Sequence, residues 1–381
     1  MRIAMLGQYP LDEARILGGV EAVLVPLLGG LAHFDDLEVH VVTCQSGVEN
    51  QLSTTGAGWP LHILKRRRLG RLTFHRRDVS SIQRTLQHLS PDVVHAHGMG
   101  LYAAAAACSG YPHVVTTHGI FFREAEFARG LAARLRGFID SVYERYCLAR
   151  VENLISISLY VEEELAHMGG FKGRIYRIEN PVNDIIFAAS RNEEEATILY
   201  VGRVIQRKGL LDLLRALVEV RKTVPQVRLQ VAGETESDPL YFQSCRQFIA
   251  QQSLDGTVTF LGSLTMEQLV QEYERCTVLA LPSKQETAPV VVAEAMAAGR
   301  PVVATRVCGV PYMVEDGVSG LLVDYGDTAQ LAGALSHVLG NSHLRMQMGQ
   351  RGRELAQARF RADVVAGQTR QVYLQLAEGR E

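Results

Sequence analysis

The sequence predicts an α/β protein with two Rossmann-like halves of similar size. Its 381 residues are more than one domain usually contains. Short apolar runs alternate with segments of helical period along most of the chain, which is the pattern of a doubly wound parallel sheet. The alternation stops once, after Asn180, and then starts again. We therefore expect one domain over residues 1–180 and a second over residues 181–360.

The first half begins with a strand, Arg2–Leu6, and a helix that opens at Gly18-Gly19 with apolar residues at a period near 3.6. Pro26 lies inside this helix and is expected to bend or shorten it. Four further helices are predicted around Ile82–Leu89, Leu101–Cys108, Phe138–Arg150 and Leu159–His167. The remaining strands are predicted at Val39–Thr43, Asp92–His95, His113–Thr117, Asn153–Ile157 and Arg174–Ile178.

The segment from Asn180 to Glu195 carries loop residues and an acidic patch, and we interpret it as the inter-domain linker. The second half repeats the alternation after it. Its strands are predicted at Thr197–Val201, Val227–Ala232, Val258–Leu261, Val278–Leu281, Pro301–Ala304 and Gly320–Val323. Its helices are predicted at Leu210–Lys222, Tyr241–Gln252, Glu267–Arg275, around Glu294, and at Ala329–Leu339, Leu344–Ala358 and Ala362–Leu376.

Composition excludes several classes of protein. The chain is 47% hydrophobic and 21% charged with a formal net charge of −2, so nothing points to a nucleic acid as partner. Six cysteines without a CxxC pair indicate core residues in a reducing compartment rather than disulfides. No apolar run approaches the ~20 residues that span a bilayer. The N-terminus lacks the features of a signal peptide, and we expect a cytoplasmic protein.

Two glutamates follow the strand Val278–Leu281, at the end of the sheet where open α/β sheets bind ligands. Glu286 lies on the loop after this strand, and Glu294 lies about one turn into the next helix. Glu294 could accept two hydrogen bonds from a ribose diol, and Glu286 could hold hydroxyls of a sugar ring. The helix start near Ala288–Val290 would face a phosphate. The alternative is two surface carboxylates, one of them stabilising a helix N-terminus.

Two cations bracket a short loop after the strand Thr197–Val201. Arg203 and Lys208 belong to VGRVIQRKG, which leads directly into a helix. Because fixed positive charge beside free backbone N–H groups favours an anion, this loop is predicted to bind a diphosphate. The alternative is a solvated loop with two surface cations.

A glycine pair, Gly18-Gly19, follows the first strand and would let the backbone approach a ligand closely. The pattern is not GxGxxG, so an NAD site is not predicted. Histidines end two other strands, His118 in TTHG, and His95 and His97 in HAHG. A lone histidine is more often structural, but the position of His118 after a strand strengthens the case for a functional role. Without further ligands at metal spacing, we expect His95 and His97 to line a cleft rather than bind zinc.

The segment Lys65–Arg77, KRRRLGRLTFHRR, is strongly basic with interleaved Leu69, Leu72 and Phe74. One interpretation is a solvated surface segment. The other is contact with anionic lipid headgroups or a phosphate-bearing acceptor, which would place the protein at the inner face of the membrane.

Together these motifs resemble those of the family 4 retaining glycosyltransferases, which have the GT-B fold. The resemblance covers nearly the whole chain and depends on the order and spacing of several motifs. These are GGVE at Gly18, TTHG at His118, GR-x4-KG at Gly202–Gly209, the Glu-x7-Glu element with EAMAAGRPVVAT, and GVPYMVEDGVSGLLV.

The resemblance implies two Rossmann-like domains that face each other across a cleft, with the C-terminal helix, about residues 361–381, packing on the N-terminal domain. It implies a nucleoside-diphosphate sugar held by the C-terminal domain and a glycan or lipid-linked acceptor on the N-terminal domain. UDP donors such as UDP-glucose are favoured over GDP donors on family frequency, and the pathway would be polysaccharide or glycolipid biosynthesis. It also implies retention of configuration without a metal or other cofactor.

By matching position, the resemblance assigns roles to individual residues. Arg203 and Lys208 would hold the donor diphosphate and stabilise the leaving group. Glu294 would hold the ribose and Glu286 the transferred sugar. His118 would contact that sugar near the reaction centre.

Further residues would complete the site by the same resemblance. Gly18 and Gly19 would bring backbone N–H groups to the phosphate or the acceptor. The base would lie beside Leu261, Gly262 and Leu264.

The loop between the two glutamates differs from the family's motif at a place that bears on the choice of sugar. Many relatives carry Phe-Gly where this chain has Ala288-Pro289. Because Pro289 has no N–H to donate, the sugar specificity of relatives does not transfer to this chain.

Two other functions fit the same motifs. One is a nucleotide-sugar epimerase with a related two-domain fold, and the other is a non-catalytic protein that binds sugar nucleotides. The GR-x4-KG loop together with Glu-x7-Glu favours transfer. Incubation of the donor without acceptor separates transfer from epimerisation, because only an epimerase converts the donor stoichiometrically.

Overall fold

The computed structural model describes residues 1–15, 18–67, 70–120 and 130–379. The expectations that concern Arg68, Leu69, the side chain of Leu72 and the last two residues lie outside this range. The chain divides into two compact units. The first comprises mainly residues 1–13 and 18–181 with the C-terminal helix from Ala362, and the second comprises mainly Val182–Arg361.

The first unit is built on an eight-stranded sheet in the order β3-β4-β2-β1-β5-β6-β7-β8. Its strands are β1 Arg2–Leu6, β2 Glu38–Gln45, β3 Gln51–Thr54, β4 Pro60–Lys65, β5 Val93–His97, β6 His113–Thr117, β7 Asn153–Ser156 and β8 Arg174–Arg177. All neighbours are parallel except β3 and β4, with Ile3 of β1 opposite Val39 on one side and Val93 on the other. Its helices are α1 Gly19–Leu31, α2 Arg76–Leu89, α3 Leu101–Ala107, α4 Leu131–Leu148 and α5 Leu159–His167.

The second unit is built on a six-stranded parallel sheet in the order β11-β10-β9-β12-β13-β14. Its strands are β9 Thr197–Val201, β10 Arg228–Ala232, β11 Val258–Gly262, β12 Val278–Leu281, β13 Val302–Thr305 and β14 Gly320–Val323. Its helices are α6 Asp184–Phe187, α7 Leu210–Thr223, α8 Pro239–Gln251, α9 Met266–Arg275, α10 Val290–Ala297, α11 Thr328–Gly340 and α12 Ser342–Arg359. Short 3-10 turns cover Gln206–Lys208 and Val310–Tyr312.

Continuous apolar runs become the central strands because a parallel sheet is covered on both faces. In β1 the residues Ile3–Leu6 are fully buried, and so is all of β12. In the second unit, one cluster of buried side chains lies around Leu213 and Leu217 of α7 and another around α10, at Met296. The prediction of two Rossmann-like α/β halves is confirmed.

The last helix, α13 (Ala362–Glu378), belongs to the first unit rather than the second. Its residues Val365, Ala366 and Tyr373 share the buried cluster that contains Leu24 and Leu28 of α1. A bidentate ion pair between Arg370 and Asp36 adds a contact at the surface. The C-terminal helix is therefore a structural part of the N-terminal unit.

Several details differ from the prediction. Pro26 does not shorten α1, which continues to Leu31. The antiparallel pair β3 and β4 was not predicted, because exposed β3 lacks the apolar run that marks a buried strand. The segment interpreted as a linker is packed into the second unit beyond Val182, where buried Arg300 donates to Glu193 at 3.0 Å. Among the described residues, no helix is both long and apolar enough to cross a bilayer.

Candidate functional site

The loops after β9 and β12 leave the same edge of the second sheet, because these two strands are parallel neighbours. Lys208 stands on the first loop and Glu286 on the second, 78 residues apart in sequence. The Lys208 Nζ donates to Glu286 Oε1 at 2.5 Å, and only 16% and 8% of the two side chains are exposed. The structure therefore brings the predicted diphosphate cation and the predicted sugar carboxylate into direct contact.

The charge state of Glu286 follows from its surroundings. Burial acts to raise the pKa of this carboxyl, but the charges of Lys208 and Arg207 outweigh burial, and the pKa lies below its ordinary value. Glu286 is thus a carboxylate at neutral pH, ready to accept hydrogen bonds from hydroxyl groups.

Arg207 is a residue that sequence reasoning missed. It donates to the carbonyl of Gln285 at 3.0 Å, while its own carbonyl accepts from the N–H of Lys284 at 2.8 Å. These reciprocal bonds hold the Glu286 loop against the turn that carries Lys208. The basic run in QRKG indicated positive charge at this turn. The sequence alone could not show which of its two cations fixes the loop and which one faces a ligand.

Two glycines allow the backbones at this edge to approach closely. Gly209 has φ +73°, and a Cβ there would lie 2.1 Å from the Pro282 carbonyl oxygen. Gly309 donates its N–H to the Glu286 carbonyl at 2.9 Å, and a Cβ there would lie 1.7 Å from the Thr287 carbonyl oxygen. Any side chain at either position would push the Glu286 loop away from its neighbours.

Glu294 lies in the fifth position of α10 and is 4% exposed. Its Oε2 accepts a hydrogen bond from the Tyr273 hydroxyl at 2.8 Å, a partner on α9 that the sequence did not reveal. Burial raises the pKa of Glu294 to about 7, and the bond from Tyr273 lowers it in part. The carboxyl group predicted to hold a ribose is therefore held in one orientation by a buried tyrosine.

We expect Glu294→Gln to stabilise the ligand-free protein at alkaline pH. In the folded protein the pKa of Glu294 lies above its ordinary value of 4.5, so the folded state favours the protonated carboxyl. The stability that this protonated form contributes is complete below about pH 4.5 and is lost as the pH rises through about 7. The variant should gain about 2–3 kcal/mol of unfolding free energy over the wild type at pH 8, and little at pH 5. Urea denaturation at both pH values measures this. The exposed Glu236→Gln is the control, and an equal effect from it would contradict the assignment.

The start of α10 offers backbone donors despite Pro289. Pro289 is the residue before the first turn, so its missing N–H is not one of those that open the helix. The first helical N–H groups belong to Val290 and Val291, four residues beyond Glu286. Ala288 is half-buried on the connecting loop. The departure at Ala288-Pro289 therefore leaves the first N–H groups of this helix in place.

The other predicted residues of the second unit do not take part in this contact. Arg203 is exposed after β9 and forms no ion pair with any acidic side chain in the described part of the chain. Leu261 and Gly262 end the edge strand β11, where the Gly262 carbonyl accepts from the Gly233 N–H at 2.8 Å. Leu261 and Leu264 are partly buried against the α10 side of the core.

His118 stands at the end of β6 in the first unit, in a stack of three histidines. Its Nε2 lies 2.9 Å from His97 Nδ1, and the ring centroids of His95 and His97 are 4.2 Å apart. His95 bonds the Tyr373 hydroxyl at 2.6 Å and Thr116 at 2.7 Å. Burial lowers the pKa of His118 to about 4 and that of His95 to about 3, and it holds the pKa of His97 well below its ordinary value. The three imidazoles are neutral at pH 7.

The expectation that His95 and His97 line a cleft is wrong. They are 1% and 3% exposed, because their strand β5 lies between β1 and β6 in the covered middle of the sheet. His97 instead orients the ring of the half-buried His118 through their hydrogen bond. Among the residues that the structure describes, no three His, Cys, Asp or Glu side chains come together as a metal site.

Gly18 and Gly19 open α1 in the first unit. The Gly18 N–H donates to Glu21 Oε2 at 3.2 Å, so this donor is already used within the protein. Gly19 is exposed, and a Cβ added there would meet nothing within 4 Å. The fold itself gives no reason for glycine at position 19, which is consistent with the approach of a ligand.

If Gly19 approaches a ligand as the motif resemblance implies, Gly19→Ala should preserve stability but lower the implied glycosyl transfer at least about tenfold. Alanine in a helix is more stable than glycine by up to about 1 kcal/mol, so the melting temperature should not fall. Gly29→Ala in the same helix is the matched control, because a Cβ there also meets nothing within 4 Å. Melting curves and initial rates for both variants test this, and full activity of Gly19→Ala would remove the proposed contact.

Two Rossmann-like units of this kind are characteristic of the GT-B fold. The structure matches sucrose-phosphate synthase from Thermosynechococcus elongatus with a TM-score of 0.86 over 99% of both chains, at 22% identity. It matches HepE from Anabaena, solved in complex with UDP-glucose, with a TM-score of 0.75 over 98% of this chain and 100% of that one, at 20% identity.

Sequence comparison identifies the family. The model for glycosyl transferases group 1 matches residues 182–355, and the model for glycosyltransferase family 4 matches residues 17–184. Glycogen synthase from Mycobacterium tuberculosis is 30% identical over 294 residues, which are 76% of this chain and 70% of that enzyme. The chain belongs to the group 1 glycosyltransferases, and the resemblance seen in its motifs is confirmed.

Proposed function

We propose that this glycosyltransferase moves a hexosyl unit from a UDP-sugar to a glycan or lipid-linked acceptor, with retention of configuration and without a metal. The observation that carries the proposal is the buried contact between Lys208 and Glu286. In this contact a cation that would hold a diphosphate lies beside a carboxylate that would hold sugar hydroxyls, at the carboxyl edge of a parallel sheet, where such sheets bind ligands.

The donor would lie along this edge in a definite order. The first N–H groups of α10 and the Lys208 ammonium would receive the diphosphate, and Glu294 would accept from the ribose diol. Glu286 would hold the hydroxyls of the sugar. The complexes of HepE with UDP and with UDP-glucose support UDP as the nucleotide for this chain.

The chemistry of transfer follows from the charges. As the glycosidic bond to the diphosphate breaks, negative charge develops on the leaving oxygen, and Lys208 with Arg203 would stabilise it. These fixed cations would supply the charge that a metal supplies elsewhere. His118, neutral and oriented by His97, would contact the sugar as a hydrogen-bonding group rather than as a cation.

A donor panel tests the proposal. UDP-glucose, other UDP-sugars and GDP-sugars are incubated with and without candidate glycan and lipid-linked acceptors, and the released nucleotide is measured. We expect release from a UDP-sugar that persists in EDTA, and an unchanged anomeric configuration in the product by NMR. Loss of activity in EDTA restored by a divalent cation would contradict metal independence, and an inverted product would contradict retention.

The two other functions give different results in the same panel. An epimerase would convert the donor to a second sugar nucleotide without acceptor, whereas a transferase would at most hydrolyse it slowly. A non-catalytic binding protein would bind UDP-sugar without releasing nucleotide under any condition. A role in polysaccharide or glycolipid biosynthesis, in the cytoplasm, is part of the proposal and depends on the acceptor found.

A further inference from the structure

An apolar stripe runs along the exposed side of α4 in the first unit. Leu135, Phe138, Val142 and Tyr146 recur three or four residues apart, so they share one face of the helix. Their exposed fractions are 61%, 66%, 40% and 42%. Single exposed apolar residues are ordinary, but a contiguous row of large ones indicates an interaction surface.

The basic segment found in the sequence lies against this helix. The Phe74 ring stands 5.1 Å from the ring of Tyr143 and 6.4 Å from that of Tyr146, and the Tyr143 hydroxyl donates to the Phe74 carbonyl at 3.0 Å. Phe74 is itself 42% exposed and therefore extends the stripe.

Several exposed cations around the stripe have no acidic partner among the residues that the structure describes. Buried Asp78 accepts from the Arg67 backbone N–H at 3.1 Å and lies 3.4 Å from His75 Nδ1, so it fixes the loop backbone. It forms no ion pair with an arginine side chain that the structure describes. In the described ranges, several exposed arginines on this loop and on α4 have no ion pair with an acidic side chain. They are Arg66, Arg67, Arg76, Arg77, Arg134 and Arg145.

We propose that this face, formed by the stripe on α4 and the Phe74 loop, binds the surface of an anionic lipid bilayer. The apolar side chains would enter the boundary between headgroups and acyl chains, and the arginines would contact lipid phosphates. An anionic bilayer fits this face because the face combines exposed apolar side chains with arginines that have no acidic partner among the described residues. The proposal does not depend on the sugar chemistry, and its readouts are independent of activity.

Vesicle sedimentation tests the charge component. The full chain should bind vesicles of phosphatidylglycerol and phosphatidylcholine but not vesicles of phosphatidylcholine alone, and binding should weaken as salt is raised. Each arginine near an anionic surface contributes about fivefold to partitioning, so Arg66→Ala/Arg67→Ala/Arg77→Ala should weaken it about 100-fold. The control Lys172→Ala/Arg228→Ala/Arg246→Ala removes the same charge from exposed positions elsewhere. Equal losses in both triple variants, or binding that ignores salt, would overturn the proposal.

A fluorescence experiment tests the apolar component. The chain has one tryptophan, so Phe138→Trp adds a reporter on the stripe, and Leu240→Trp adds one at a position 78% exposed in the second unit. Anionic vesicles should blue-shift the emission of the first variant only, and brominated lipids should quench it. Leu135→Ser/Phe138→Ser should lose vesicle binding. The alternative is that this face joins two copies of the chain. In that case the wild type would not bind vesicles, light scattering without lipid would show a dimer, and Leu135→Ser/Phe138→Ser would abolish that dimer. This result would overturn the proposal.

Discussion

Lys208→Ala should weaken UDP binding about 100-fold, whereas Glu286→Gln should leave UDP binding nearly intact and lower transfer by about 10²–10³. The difference follows from the proposed roles, because UDP contains the diphosphate that Lys208 would hold but lacks the sugar that Glu286 would hold. Removing one preorganised group that stabilises charge in a buried site costs rates of this order. Calorimetry with UDP and initial rates of nucleotide release separate the two effects.

The contact between the two side chains requires a control for folding. Only 16% and 8% of them are exposed, and removing one partner of a buried ion pair costs about 3–5 kcal/mol of unfolding free energy. Affinity and rate are therefore measured at a temperature where denaturation curves show each variant to be folded. Lys284→Ala is the matched control, because it removes an exposed lysine from the same loop. If Glu286→Gln lost UDP binding as fully as Lys208→Ala, the separate roles would be wrong.

Arg300→Ala should be the most destabilising single change outside the site. Arg300 is fully buried, and its guanidinium donates to Glu193 at 3.0 Å and to the carbonyls of Glu274 at 2.5 Å and Ser190 at 3.3 Å. Alanine would leave Glu193 with the exposed Arg191 at 2.6 Å and with Arg345 at 3.6 Å, and it would open a cavity. We expect a loss of about 3–5 kcal/mol and a fall in melting temperature on the order of 10 °C.

An exposed ion pair provides the comparison for Arg300. Arg351 pairs with Glu315 at 3.2 Å, and both side chains are 43% exposed. Arg351→Ala should therefore cost less than about 1 kcal/mol. Similar losses of unfolding free energy in Arg300→Ala and Arg351→Ala would show that the hydrogen bonds of Arg300 do not hold residues 182–195 to the second unit. Chemical denaturation followed by circular dichroism measures both.

Local patterns in the sequence determined much of this protein. Alternating apolar runs and helical periods located every strand of the second sheet and all but β3 and β4 of the first, since a buried parallel strand must be apolar on both faces. Loop chemistry located Lys208, Glu286 and His118 at strand ends. The motifs in their order also identified the family, which the comparisons confirmed.

The tertiary structure decided which of these groups meet. Strand order is not encoded locally, so only the structure shows that β9 and β12 are neighbours and that Lys208 touches Glu286 across 78 residues. The same holds for Tyr273 on Glu294. Burial is also a property of the whole fold, which is why His97 proved to be an interior residue that orients His118. A sequence thus specifies periods and turns within a few residues, whereas partners and pKa values depend on elements brought together from distant parts of the chain.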